Sequence, residues 1–143
     1  MPEHVMTICL LAHAGATWFM VGLIWFVQVV HYPLMKVADG GAFAGYALAH
    51  QRRTGWVVGP VMLVEACSAA VLWVYVAGVL GWLGLGLLVL VWVSTFAVQV
   101  PMHRGLLGGF EDVLWRRLVA SNWVRTWAWS ARGVIAMLML RVH

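Results

Sequence analysis

The distribution of charge along this chain constrains its fold more than any other feature. Positions 54–103, which lie between Arg53 and Arg104, contain one charged side chain, Glu65. The last strongly apolar segment, 126–140, likewise contains one, Arg132. A charge placed in hydrocarbon costs roughly 2.5–3.5 kcal/mol on insertion scales, so each of these two residues is expected to have a partner and a role.

The composition is typical of a membrane protein. The chain is 64% hydrophobic and only 10% charged, which leaves too little polar surface to cover a soluble protein but suits contact with lipid. The formal net charge is +4, and the basic residues flank apolar runs. Anionic lipid head groups, rather than nucleic acid, are therefore the expected counter-charge. With 143 residues, the chain is expected to form one transmembrane domain, 1–143.

Four segments are long enough to cross a bilayer, for which about 20 residues suffice. The predicted spans are 7–31, 56–80, 83–100 and 123–140. The first residues lack Lys and Arg, so the first span is expected to stay in the mature protein. The glycines of 78–84 are expected to form the turn between the second and third spans, and Pro101 is expected to end or kink the third. The predicted fold is an all-α, antiparallel four-helix bundle embedded in the membrane.

The basic residues fall mainly on one side of such a bundle. With four spans, the connections 32–55 and 101–122 share one side, and both termini share the other. The first side carries Lys36, Arg52, Arg53, Arg104, Arg116 and Arg117, and the other carries only Arg141. Positive charge is retained in the cytoplasm, so both connections are predicted to be cytoplasmic and both termini to lie outside a bacterial inner membrane. Their amphipathic patterns predict an interfacial helix in each connection.

Glu65 and Arg132 are predicted to form a buried ion pair. Glu65 lies nine residues after Trp56, and Arg132 lies nine residues after Trp123. At 1.5 Å per residue, both side chains lie about 13–14 Å deep in spans that rise from the cytoplasm. The pair either fixes the order of the helices or grips a ligand, and both interpretations stay open. Arg125 shares the helix face of Arg132, where it could bind an anionic group or brace the bundle.

Two segments of the chain are similar in sequence. FVQVVHYPL (26–34) and FAVQVPMHRGLL (96–107) each combine Phe, Gln, His and Pro, and both end on the predicted cytoplasmic side. The polar residues at this end are Gln28, His31, His50, Gln99 and His103. Three histidines can bind a transition metal such as iron, copper or zinc, with the glutamines orienting the imidazoles. Alternatively, they are interfacial histidines at helix ends.

Two tryptophans and two arginines complete the candidate site. Trp25 and Trp129 lie deep in predicted spans, where their rings either stack on a flat apolar cofactor or fill space between helices. Arg125 and Arg104 are the candidates for contact with the polar groups of a cofactor. The candidate cofactors are a transition metal or haem.

Four blocks of sequence carry a resemblance to known proteins: WFVQVVHYPLM, AHQRRTGWVVGPVMLVE, STFAVQVPMHRGL and SNWVRTWAWSARG. Together they resemble small bacterial four-span membrane proteins of unassigned function, distantly similar to the anthrone-oxygenase-like family. That family favours Asn and Arg after the proline that ends the third helix, whereas the chain reads PMHRGL, in which Arg104 corresponds to the arginine. A second likeness is to the small four-span, haem-containing protoporphyrinogen oxidases, which also place a histidine early in the first helix, as His13 is here.

These features lead to two hypotheses on function. The first is a small membrane oxidoreductase, or cofactor-binding protein, acting on an apolar aromatic or isoprenoid-like compound. Its catalytic candidates are Glu65, Arg132, Gln28 and Gln99, and its candidate metal ligands are His31, His50 and His103. The second is a non-catalytic accessory or assembly subunit, which packs against a larger membrane complex or forms a homo-oligomer.

Overall fold

The computed structural model describes residues 1–38, 41–76 and 78–142. In these ranges the chain forms four long helices and no strand, which confirms the all-α prediction. The helices are α1 (Glu3–Met35), α2 (Phe43–Tyr75), α3 (Val79–Gly108) and α4 (Asp112–Val142). Each helix packs against the next one along the chain, and α4 closes the bundle against α1.

Three of the described helices are long and apolar enough to cross a membrane. They are α1, α2 and α3, with 33, 33 and 30 residues, whereas about 20 residues span the hydrocarbon. These helices indicate an integral membrane protein. Helix α4 has 31 residues but carries more charged side chains, so its composition alone does not mark it as a span.

Three prolines, Pro33, Pro60 and Pro101, lie inside helices without ending them, and two of them follow a widened turn. Pro33 follows a π-helical turn at Val27–His31, and Pro101 follows one at Ser94–Gln99. Proline donates no backbone hydrogen bond, and its ring crowds the carbonyl group four residues earlier, so a widened turn before it accommodates both defects. Helix α3 therefore does not end at Pro101 but continues to Gly108. The two similar sequence segments therefore share one local structure, a π-helical turn followed by a proline.

The turn between α2 and α3 lies earlier than predicted. Because α2 ends at Tyr75 and α3 begins at Val79, most of the segment 78–84 is helical, and the predicted second span extends beyond the end of α2. Gly78 has a φ of 148°, which an L side chain rarely adopts, so the reversal needs glycine there. A Cβ on Gly81 would lie 2.8 Å from a backbone oxygen of the preceding turn, so this glycine also permits the close approach of the chain.

Most of the described residues of the predicted connections 32–55 and 101–122 are helical, but they do not form separate interfacial helices. They form the ends of the four long helices, so the prediction of two surface helices is corrected. The physical reason is that their apolar residues pack on one another instead of facing head groups. The buried cluster at this end contains Tyr32, Met35, Phe43, Ala47, Leu106 and Leu118.

Ion pairs at the surface hold the start of α4 against the end of α1. Asp112 contacts Arg116 Nε at 2.7 Å and Lys36 Nζ at 3.1 Å. The hydrogen bonds from Arg116 and Lys36 lower the pKa of the Asp112 carboxyl. Lys36 also lies over the Trp115 ring, 5.2 Å from its centroid. Exposed pairs of this kind contribute little to stability, so they orient the helix ends more than they hold the bundle together.

Candidate functional site

Between positions 122 and 140, helix α4 turns its charged side chains inward, and all of its exposed side chains are apolar. Its buried polar residues are Asn122, Arg125, Thr126 and Arg132. Its most exposed large apolar residues between 123 and 140 are Trp127, Val134 and Met137. This distribution is the reverse of that of a helix on the surface of a soluble protein. It gathers the polar groups of α4 in the interior of the bundle.

Glu65 and Arg132 form the buried ion pair that the sequence predicts. Arg132 Nε donates to Glu65 Oε1 at 2.9 Å, and the two side chains are 1% and 0% exposed. The Thr17 hydroxyl donates to the same oxygen at 3.1 Å, and the Trp129 indole donates to the other oxygen at 3.1 Å. Arg132 also donates to the backbone carbonyl of Gly84. The Glu65 carboxylate therefore accepts hydrogen bonds from α1 and α4, as a buried charge requires, and Arg132 extends the network to α3. Arg132 Nη2 has no hydrogen-bond partner among the described residues.

His13 belongs to the neighbourhood of this ion pair and not to the other histidines. Its Nδ1 lies 3.0 Å from Ser68 Oγ. The Ser68 hydroxyl donates to the Val64 carbonyl oxygen at 2.7 Å, so the Nδ1–H of His13 donates to Ser68. The ring is buried, and this contact ties α1 to α2. A packing role for His13 fits this arrangement.

A second polar group surrounds Gln28. The side chain of Asn122 donates to Gln28 Oε1 at 2.7 Å, and Gln28 donates to the Val119 carbonyl oxygen at 3.2 Å. Arg125 donates to Asn122 Oδ1 at 3.2 Å, and its guanidinium lies 5.1 Å from the centroid of the Trp129 ring. Gln28 thus joins α1 to α4, and its hydrogen bonds go to α4 instead of orienting a histidine as the sequence predicts.

Gln99 reaches a histidine through a tyrosine. The Tyr32 hydroxyl lies 3.2 Å from Gln99 Oε1 and 3.1 Å from His103 Nε2. Gln99 donates from its amide nitrogen to Ser121 Oγ at 2.8 Å. When Tyr32 donates its single proton to Gln99, His103 donates from Nε2 to the phenol oxygen. Gln99 therefore positions His103 indirectly, with Tyr32 as the intermediate group.

The three histidines predicted as metal ligands lie together. The ring centroids of His31 and His50 are 4.1 Å apart in a stacked arrangement, and those of His50 and His103 are 5.6 Å apart. The lone pairs of an imidazole lie in the plane of its ring, so stacked rings do not direct them at one ion. No set of three or more His, Cys, Asp or Glu side chains in the described part of the chain could hold a metal. This geometry does not fit the predicted three-histidine centre.

Hydroxyl groups, instead, are the partners of these imidazoles. The pairs are Tyr46 with His31 at 3.4 Å, Thr54 with His50 at 3.2 Å, and Tyr32 with His103 at 3.1 Å. Imidazole and phenol groups in contact can donate, accept and exchange protons with a bound molecule. The arrangement is therefore suited to acid–base chemistry.

A cavity of about 370 Å³ lies beside this cluster, among α1, α2 and α3, and Arg125 of α4 completes its lining. Aliphatic side chains line one part, including Met20, Ile24, Val58 and Met62. The polar part includes Tyr32, His50, Gln51, Thr54, Gln99, His103, Arg104 and Arg125. Gly55 and Phe96 are exposed members of the lining, so the cavity opens between α2 and α3. The lining combines an apolar wall with a polar, cationic end.

Several predicted site residues do not line this cavity. Trp25 donates to Ser130 Oγ at 3.0 Å and packs edge-on against Trp123 and Trp127, on the outside of the bundle. The other predicted site residues that do not line the cavity are Gln28, His31, Glu65, Trp129 and Arg132. The predicted stacking of the two tryptophans on a cofactor has no counterpart in the described cavity.

Sequence reasoning missed Tyr32 and Asn122. Tyr32 is 2% exposed, but it precedes Pro33 in a segment interpreted as an interfacial connection, which concealed its position. Asn122 is 0% exposed and precedes Arg125 by three residues, a spacing that places both on one helix face. That spacing is the signal that could have identified Asn122.

Comparisons of the chain with protein-family models, curated proteins and solved structures find no match. The similarity to anthrone-oxygenase-like proteins therefore stays a resemblance. Function has to be argued from the side chains of the cavity and the bundle.

Proposed function

We propose that the chain is a four-span protein of the bacterial inner membrane, in which α4 also crosses the bilayer. The support is the distribution of side chains on α4, whose apolar face is exposed while α1 and α3 cover its charged face. Such a helix is stable in hydrocarbon because no charge meets lipid. The exposed basic residues cluster where α1 meets α2 and α3 meets α4. Retention of positive charge places that end in the cytoplasm and both termini outside.

The cavity is the binding site for a lipid-soluble compound with an oxygen-bearing head group. Its volume of about 370 Å³ falls within the usual range for small-molecule sites, about 300–1,000 Å³. Its aliphatic wall suits an apolar body, and its opening between α2 and α3 faces the lipid. The polar end offers hydrogen-bond donors to the head group. A compound dissolved in the bilayer therefore enters sideways and is oriented by the polar end.

Proton exchange with the head group is the chemistry that this site supplies. His50 and His103 line the cavity, and Tyr32 bridges His103 to Gln99. These groups supply or accept the protons in an oxidoreduction of an apolar aromatic or isoprenoid-like compound, whose electrons pass to or from a separate redox partner. The single observation that carries the proposal is the contact of a histidine and a phenol at the polar end of an otherwise apolar cavity.

Filling the cavity is expected to abolish binding. Gly59 lines the cavity, and a Cβ built there meets no atom within 4 Å, so the leucine of Gly59→Leu projects into free space. In lipid nanodiscs, decylubiquinone is used as an uncharged probe of the apolar wall and of the hydrogen-bonding groups, and it is expected to bind the wild-type protein saturably. It should bind Gly59→Leu at least about ten-fold more weakly, a loss of about 1.4 kcal/mol. Equilibrium binding of the labelled quinone measures both values.

The matched control for this experiment is Gly86→Leu. Gly86 is an exposed helical glycine with equal free space, but it does not line the cavity. Its variant should bind the quinone as the wild type does. Equal binding to Gly59→Leu and wild type would contradict the proposal.

The second candidate function is a non-catalytic subunit of a larger membrane complex. One observation favours it: Trp123 and Trp127 stack with ring centroids 6.2 Å apart on the exposed face of α4, beside Trp25. A flat aromatic surface of this kind suits contact with another transmembrane helix. Absence of any saturable quinone binding by the wild-type protein would favour this alternative.

A further inference from the structure

We infer that the compound bound in the cavity carries an anionic head group, a carboxylate or phosphate, and that Arg125 binds it. This inference rests on the proposed function, because it names the chemistry of the molecule that the cavity holds. It follows from a comparison of the two buried arginines of α4.

Arg125 is a buried cation without an acidic partner. Its residue is 8% exposed, and its Nε has no hydrogen-bond partner. Each ion pair found among the described residues joins other side chains, and the charge of Arg132 is neutralised by Glu65. A buried charge without a counter-charge is strongly unfavourable. The cavity that Arg125 lines is where a counter-ion can lie.

The contacts that Arg125 does make hold it in place without neutralising it. Asn122 accepts one hydrogen bond through its amide oxygen, and the Trp129 ring lies beneath the guanidinium. Both partners are uncharged. The guanidinium is thus positioned before any ligand arrives, with Nε still free to donate. Carboxylate and phosphate groups match such a planar donor because they accept two parallel hydrogen bonds.

The rest of the lining favours the same class of ligand. Arg104, on the exposed side, is the second cation of the cavity, and no Asp or Glu is among the lining residues that the structure describes. A cleft lined by one sign of charge, with apolar walls, concentrates ions of the opposite sign. The aliphatic wall beside Arg125 accommodates a hydrocarbon chain. The geometry therefore favours an apolar compound that carries an anionic head group.

Three probes with the same chain and different heads test this inference: tetradecanoate, tetradecyl phosphate and tetradecanol. Each is titrated against the protein in nanodiscs of an uncharged phospholipid. The wild type is expected to bind at least one anion about ten-fold or more tightly than the alcohol. Arg125→Gln should abolish this preference, and Arg125→Lys, which keeps the charge, should retain part of it. Whichever anion binds more tightly distinguishes a carboxylate ligand from a phosphate ligand.

The matched control is Arg117→Gln, which removes an exposed arginine near the same end of the bundle and should leave the preference intact. A second readout separates binding from folding. Unliganded Arg125→Gln should unfold at the wild-type temperature or above it, because it removes an unneutralised buried charge. The preferred anion should raise the melting temperature of the wild type and of Arg117→Gln but not that of Arg125→Gln.

Two results would overturn the inference while leaving the proposed function intact: equal affinity of the wild type for the alcohol and both anions, or an undiminished preference in Arg125→Gln. Failure of all three probes and of decylubiquinone to bind the wild type would overturn the proposed function as well.

Discussion

Replacement of Glu65 by leucine lowers the free energy of unfolding by about 3–5 kcal/mol, because it leaves Arg132 as an unpaired charge inside the bundle. The loss is large because one carboxylate accepts three hydrogen bonds, and Trp129 and Thr17 lose their acceptor as well. Arg132→Met is expected to have a similar effect, since it leaves the Glu65 carboxylate without a cationic partner. Reversible unfolding of the purified protein in detergent measures each loss.

The double variant Glu65→Leu/Arg132→Met distinguishes an ion pair from two independent effects. Because it removes both charges, it should be more stable than either single variant. Glu111→Leu makes the same chemical change at an exposed site and should alter stability by less than about 0.5 kcal/mol. Losses that simply add in the double variant would show that the two side chains do not interact.

Trp129→Ala is the second substitution with a large expected effect, a loss of about 3–5 kcal/mol. The ring is 0% exposed, and its removal leaves a cavity, an unmet acceptor on Glu65 and an uncovered Arg125 guanidinium. Trp129→Phe keeps most of the ring but removes the N–H donor. Its expected loss is about 1–3 kcal/mol, the usual penalty for an unmet hydrogen bond to a buried group.

Trp127→Ala provides the matched control for this series. Trp127 lies two residues away on the same helix but is 61% exposed, so its truncation should be far less destabilising than that of Trp129. The same unfolding assay compares the three variants. Equal losses at the two positions would mean that α4 does not turn Trp129 inward as described.

The ion pair was predictable because charge in an apolar sequence is scarce. Glu65 and Arg132 have opposite charge and equal calculated depth, and few other partners exist at that level. The four long helices followed from the same apolar runs, whereas the two separate interfacial helices that were also predicted are absent from the described residues. The inward direction of the Arg125 side chain was also predictable, because Arg125 shares a helix face with Arg132.

The cavity and the details of the helix ends were not predictable in the same way. Whether Pro101 ends a helix depends on the turn before it, and the widened turn at Ser94–Gln99 has no distinct sequence signal. The histidine cluster was located correctly, but ring orientation depends on partners such as Tyr32, which are distant in sequence. The cavity arises where α2 and α3 separate, a tertiary property that helical periodicity does not encode.

We propose that α4 lies within the membrane with its polar face turned toward the other helices. Spin labels at successive positions of 123–140, in a variant without Cys9 and Cys67, test it directly by their collisions with oxygen and with a water-soluble nickel complex. Oxygen should reach labels at Trp127 and Val134 and should be excluded at Ala128, with a period of about 3.6 residues and with nickel excluded throughout the middle of the helix. Free access of the nickel complex to position 127, or oxygen access without that period, would contradict the claim.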